Sequence, residues 1–425
     1  MLDYKLTIFD NGLKLITAPL TKTRAVTLLF LVGVGSRYEE KNLNGISHFL
    51  EHMVFKGTKK RPTNLDIAKA LDAVGASYNA FTAEDYTGFF VRAESTHFDL
   101  ALDILFDLLY HSKFEEAEIE KEKGVIIEEI NLYHDTPQSF IADVAKKLFY
   151  DDQPLGLPVT GSKETVKTFT HDDFIAYRDQ FYTPDNMIVA VAGGKNKTDW
   201  LQKIQEVFAK VNLKKQGSAK AIQESQTKPQ VLLWPKKTDQ AHLALAFRSI
   251  PRTDKRRPIL KVLNNLLGEN MSSRLFTEVR EKRGLAYYIS SEMADFQDCG
   301  VFGVSAGVDL ARSEEAVKVI LEEFSKLKTT LVDEEELSRA KENLKGKLYL
   351  SLEESFAVAD FLAEQALFWE EIDDPDTLVK KYQAVTAQEI QKIAQEFFVS
   401  KNLNLAMITP EKNDNKFRKI LERFS

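Results

Sequence analysis

Gly45-Ile46-Ser47-His48-Phe49-Leu50-Glu51-His52-Met53-Val54-Phe55-Lys56-Gly57 is the stretch from which the rest of the chain can be placed. Read as a helix, it has a start, a buried face and a stop. Asn44 or Gly45 can cap the start, and Gly57 ends the last turn. Phe49, Leu50, Met53 and Val54 give it an apolar face. His48 and His52 are one turn apart, so both imidazoles lie on the same side. Glu51 sits beside the pair. Two neutral nitrogens and a carboxylate at one point suit a catalytic zinc: imidazoles for the metal, and a base for its water. The chain holds 7 His in 425 residues, so two of them in one turn with a carboxylate between is not a pattern that surface scatter supplies.

A chain of this length can carry two domains, each with its own core. Hydrophobic residues make up 44% and charged residues 28%, the balance of a soluble globular protein. The net charge of −7 argues against nucleic acid as the main partner. The single cysteine, Cys299, excludes an intrachain disulfide and reads as a small buried residue. Met1-Leu2-Asp3-Tyr4-Lys5 shows no secretion signal. The longest apolar run, near Val26 to Val34, is too short to span a membrane and carries strand composition. A reducing, cytoplasmic location is the expectation.

Outward from the motif helix, residues 4 to 20 read as two strands around the turn Asp10-Asn11-Gly12. Residues 26 to 35 form a near-continuous apolar strand. Ser77 to Thr82 and Asp85 to Val91 are two more strands joined by a short acidic turn. A helix follows around Leu100 to Leu109, and another begins at Glu115. Residues 186 to 194 are a further buried strand. Beyond a polar stretch with few large apolar residues, the order repeats. Strands at 231–234 and 242–247 precede a helix at 259–267, then strands at 290–293 and 300–305, then helices at 316–324 and 334–350. Two similar halves are the simplest account. The expected division is a domain at 1–213, a linker at 214–229 and a homologous domain at 230–425. The second half has Val262-Leu263-Asn264-Asn265 at the motif helix and Lys347 opposite Glu129, so one metal site per chain is expected, in the first half.

A catalytic zinc wants three protein ligands and one open position. The helix from Glu115 offers Glu116, Glu118, Glu120, Glu122, Glu128 and Glu129, and physics alone does not choose among them. The order H-x-x-E-H, the inverse of the commoner H-E-x-x-H, resembles that of the inverzincins, metallopeptidases that include pitrilysin, insulin-degrading enzyme and the mitochondrial processing peptidases. The resemblance implies Glu129 as the third ligand, with Glu128 the alternative. It implies that Glu122, two turns earlier, orients the ligands or tunes the metal.

Phe276-Thr277-Glu278-Val279-Arg280-Glu281-Lys282-Arg283-Gly284-Leu285-Ala286-Tyr287 is by itself a helix ended by Gly284. It resembles the Arg…Gly-Leu-x-Tyr element of the same family. There Arg280 and Tyr287 would hold substrate carbonyl oxygens, with Tyr287 also stabilising the tetrahedral intermediate. Asn79, Ala80 and Phe81 match the family's edge strand, onto which an extended substrate adds as a further strand.

The resemblance covers nearly the whole chain and points to a short, bacterial-type, two-domain member. It implies an α+β fold of two homologous domains, each a mainly antiparallel sheet with helices on one face, together half of a clamshell. It implies a zinc-dependent endopeptidase that cleaves unfolded or extended peptides in a dimeric chamber, with zinc-bound water as nucleophile and Glu51 as general base. A homodimer is the first expectation, and a heterodimer with a related chain the second. The alternative function is a non-catalytic subunit that binds or presents peptides.

Overall fold

The computed structural model describes residues 2–194, 199–211 and 214–424. Met1 and Leu213, the bounds of the expected first domain, and Ser425, the end of the expected second, lie outside the described residues. The chain divides into two compact units. The first comprises Met1–Asn131, Pro158–Lys220 and Tyr349–Pro375; the second comprises Leu132–Leu157, Ala221–Leu348 and Asp376–Ser425.

The first unit holds a six-stranded sheet of β1 (Lys5–Ile8), β2 (Lys14–Ala18), β3 (Ala25–Val32), β4 (Ser77–Thr82), β5 (Thr87–Glu94) and β6 (Met187–Gly193). Its order is β1-β2-β6-β3-β5-β4. All pairs are antiparallel except β2 with β6. β3 lies near the middle and is apolar except for Thr27, as suits a strand with both faces covered. One face carries α1 (Ile46–Met53), α2 (Asn64–Asp72), α3 (Phe98–His111) and the start of α4 (Glu116–Asp135). Phe30, Phe49, Leu105, Phe174 and Phe208 belong to the core on that side.

The second unit holds β7 (Gln230–Pro235), β8 (Gln240–Ser249), β9 (Ala286–Asp295), β10 (Gly300–Asp309) and β11 (Leu403–Thr409). Their order is β7-β11-β8-β10-β9, and again one pair, β7 with β11, is parallel. Each strand matches one of the first sheet in order and direction, which is the repeat expected from the sequence. The helices Arg257–Leu267, Ser313–Thr329 and Ala387–Phe397 lie on one face, around Phe247, Phe324 and Phe398.

Each sheet has a further helix on its second face, and this corrects the expected division of the chain. Residues 132–157 belong to the second unit and 349–375 to the first. The helix Ser355–Phe368 buries Val358, Leu362 and Ala366 against Leu29, Leu31, Ile188 and Ala190. Phe356 stacks on Phe90 at 4.3 Å, and Lys14 Nζ donates to the Ala366 carbonyl at 2.8 Å. Reciprocally, α5 (Pro137–Tyr150) buries Phe140, Ile141 and Val144 against Ala406 and Ile408. An apolar sheet face exposed to water is costly, and in each unit the covering helix comes from the other half of the sequence.

The stretch expected as a linker has no helix or strand, yet it is tied down. Lys215 N donates to Asp185 Oδ1 and the Lys220 carbonyl accepts from Arg37 in the first unit. Ile222 N donates to Asp298 Oδ2 and Gln226 Nε2 to the Leu403 carbonyl in the second. Among the described residues, no helix is long and apolar enough to cross a membrane.

Candidate metal centre

The motif helix α1 is fixed at both ends. Gly45 begins it at φ +98°, where a Cβ would stand 2.7 Å from Gly161 Cα, so glycine is required there. Gly45, one of the two caps expected from the sequence, is the N-cap, and it has no side chain to supply a capping bond. Glu39 supplies it instead. Its Oε2 accepts from Gly45 N at 2.7 Å and Asn44 Nδ2 at 3.1 Å, and its Oε1 accepts from Ser47 N at 2.8 Å. The two backbone amides would otherwise be buried orphans. Burial raises the Glu39 carboxyl to about 7, even though the same hydrogen bonds favour its charged form. At the other end, α1 tightens into a 3₁₀ turn, Val54–Lys56, and Gly57 stops it at φ +135°. Phe49 anchors the middle, edge-on against Phe174 at 5.0 Å and Phe169 at 5.8 Å. Truncating such a ring costs about 3–5 kcal/mol, so the imidazoles rest on a rigid support.

His48, His52 and Glu129 converge. One ligand atom from each lies within 4.8 Å of the others. His48 Nε2 is 3.6 Å from Glu129 Oε1, and His52 Nε2 is 3.6 Å from Glu129 Oε2. α4 turns Glu129 toward the imidazoles, while Glu128 is exposed and bonded to Asn131. His48, and then His52, hold the Glu129 carboxyl below the usual range against its partial burial.

Glu122 stands behind His52. Its Oε1 is 2.9 Å from His52 Nδ1, and its Oε2 is 2.6 Å from Lys56 Nζ. Burial alone would lower the His52 pKa. The bond to Glu122 and the charges of Glu129 and Glu51 outweigh it and leave the imidazole above its ordinary value. Burial alone would raise Glu122, and His52 with Lys56 overcomes that, keeping the carboxylate ionised. A carboxylate on the non-ligating nitrogen fixes the tautomer that leaves Nε2 free for a metal.

Glu51 lies on the same helix and faces β4, where Thr82 Oγ1 donates to its Oε2 at 2.7 Å. β4 is the edge of its sheet. Asn79 is exposed there, Ala80 is buried and Phe81 is half-buried. The Asn79 Oδ1 accepts the Ala80 N–H at 2.9 Å.

Arg280 and Tyr287 lie together in the second unit. Phe276–Glu281 is a π-helical turn, and Gly284 ends the segment at φ +57°. The Arg280 guanidinium lies over the Phe276 ring at 4.7 Å and the Tyr287 ring at 5.9 Å. Tyr287 is 75% exposed, so its hydroxyl is presented to solvent. At the position of the motif helix in this unit, Asn265 Nδ2 donates to Asn343 Oδ1 at 2.8 Å and to Glu269 Oε2 at 3.0 Å. Lys347 Nζ donates to the Glu269 carbonyl at 3.4 Å. Asn265, Asn343, Glu269 and Lys347 are linked by these bonds where the first unit gathers metal-ligand atoms.

Comparison with known proteins agrees with both halves. Residues 14–163 match the family described as Insulinase (Peptidase family M16), and residues 168–344 match the Peptidase M16 inactive domain. The uncharacterized zinc protease YmxG of Bacillus subtilis is 34% identical over 95% of this chain and 98% of its own. The chain belongs to peptidase family M16. An uncharacterized zinc protease of Rickettsia felis is 32% identical over 94% of this M16 chain and 96% of its own. A protease from Helicobacter pylori has the same fold, with a TM-score of 0.90 at 24% identity over 96% of this chain and 100% of that one. The peptidase M16 inactive domain from Pseudomonas fluorescens superposes with a TM-score of 0.89 at 18% identity, over 97% and 98%.

Three residues at this M16 centre escape a reading of the sequence: Glu39, Lys56 and Thr82. Lys56 lies one turn beyond His52 on the same face, a spacing that could have flagged it. Glu39 precedes its helix by a loop, and Thr82 reaches Glu51 from another element, so neither leaves a local pattern.

Proposed function

We propose that this M16 chain is a zinc-dependent endopeptidase of the inverted-motif type, acting on extended peptides with Glu51 as its general base. The observation that carries the reading is the convergence of His48, His52 and Glu129 on ligand-atom spacings that one ion can bridge, with Glu51 on the same helix. The 3.6 Å between imidazole nitrogen and carboxylate oxygen on both histidines is a separation that ligands of one zinc would fit. Two nitrogens and one carboxylate also match zinc's preferred donors. The zinc protease relatives, similar over nearly their full length, support the same metal.

His48, His52 and Glu129 would hold the zinc, one per chain. When bound, it supplies a Lewis acid that brings water ionisation near neutral pH. Glu51 takes the proton from the attacking water and passes it to the leaving amine. Glu122 holds His52 Nδ1 and with it the orientation of Nε2. The free edge of β4 would bind the peptide backbone as an added strand, sequence-tolerantly, with Asn79 giving up its bond to the Ala80 N–H. Arg280 and Tyr287 would grip substrate carbonyl oxygens. In a homodimer each site would draw its zinc residues from one subunit and this pair from the other, and a cytoplasmic setting suits the single buried cysteine.

The test is cleavage of a random peptide library by purified protein, with and without a chelator. Cuts that chelation abolishes and zinc restores support the reading. Zinc-loaded protein that leaves the library intact favours the non-catalytic alternative.

A further inference from the structure

We infer that Thr82 is a positioning residue for Glu51, through which the hairpin β4–β5 sets the orientation of the base. The inference rests on the reading of Glu51 as general base. Among the described residues, the Thr82 hydroxyl supplies the one hydrogen bond to the Glu51 carboxylate, to Oε2 at 2.7 Å. Oε1 is thereby left to exchange a proton. A free glutamate side chain turns among several rotamers, and a base must stand within hydrogen-bond reach of its proton.

The donor itself is held in place. Thr82 ends β4, and Ala83 N donates to the Tyr86 carbonyl at 2.9 Å to close the turn into β5. Ser36 N donates to the Ala83 carbonyl and Arg37 N to the Glu84 carbonyl, at 3.1 and 3.0 Å. Arg37 also pairs with Asp85 at 3.1 Å, both side chains being almost fully buried. Gly35 lies so close that a Cβ there would meet the Ala83 carbonyl oxygen at 2.1 Å. A turn clamped by backbone and buried charge leaves the Thr82 hydroxyl little freedom, as preorganisation of a base requires. The hydroxyl is the functional part, and the methyl is dispensable.

Thr82→Val keeps the shape and removes the donor, whereas Thr82→Ser keeps the donor. With the zinc-loaded protein and a cleaved peptide, Thr82→Val should lower kcat about 10-fold with KM unchanged, and Thr82→Ser should stay within about 2-fold of wild type. In a Glu51→Gln background, Thr82→Val should have no further effect, since the two act as a unit. Crystals of metal-free wild type and Thr82→Val give a readout independent of activity: Glu51 should occupy one rotamer in the first and several in the second. A single unchanged Glu51 rotamer in Thr82→Val overturns the inference even if Glu51 proves not to be the base. In active protein, equal losses for the Ser and Val variants also overturn it.

Discussion

His52 Nδ1 lies 2.9 Å from Glu122 Oε1. Glu122 is itself nearly buried and neutralised by Lys56 Nζ at 2.6 Å. The three form a chain from solvent-side cation to metal-side imidazole. Removing its middle should loosen His52 without removing a ligand. Glu122→Gln is expected to weaken zinc binding about 10–100-fold, and Lys56→Met less, in competition titrations against a chromophoric chelator. A Glu122→Gln protein with wild-type affinity would show that His52 needs no such support.

Glu129 faces the imidazoles, while the neighbouring Glu128 is exposed. Glu129→Gln should therefore lose zinc affinity, and Glu128→Gln should keep it. The opposite ranking in the same titrations would move the third ligand by one residue along α4.

Glu39 carries a pH dependence of known sign. The folded protein raises its carboxyl to about 7, so the folded form holds the proton more tightly than the unfolded chain. Between about pH 4.5 and about 7, its contribution to stability falls as pH rises. The difference in melting temperature between metal-free wild type and Glu39→Gln should therefore be largest near pH 5 and smaller by pH 8. A difference that stays constant across that window would mean Glu39 does not titrate there.

Arg280 and Tyr287 belong to the second unit and expose the tyrosine ring. If a partner subunit supplies them to each zinc site, two inactive variants should complement. A mixture of Glu51→Gln and Tyr287→Phe chains, with subunit exchange confirmed, should recover about a quarter of wild-type activity. That figure takes half the dimers as mixed with one good site of two, treated as independent. No recovery would put Tyr287 in the site of its own subunit or outside the chemistry.

The parts of this protein legible in its sequence are those with a short period. His48, Glu51 and His52 sit within one turn and announce their chemistry directly. The repeat is legible because strand and helix patterns recur in the same order. Glu129 is different: six glutamates on α4 are equivalent until the fold turns Glu122 and Glu129 inward, and only likeness to a family singled these two out. The exchanged helices were hidden for a related reason. The faces of α5 and Ser355–Phe368 show that each must be buried, not against which sheet. Glu39 acts on the centre across a loop and Thr82 from another element, where local pattern carries no information, whereas Lys56 stands one turn beyond His52, a spacing that could have flagged it.

The central claim is that α1 separates two roles, with His48 and His52 for the metal and Glu51 for the proton. Glu51→Gln tests it most directly, by measuring zinc content and peptide cleavage on one preparation. The account predicts one zinc per chain, bound within about 3-fold of wild-type affinity, with cleavage reduced at least about 100-fold. Near wild-type turnover in that variant, or loss of its zinc, would contradict it.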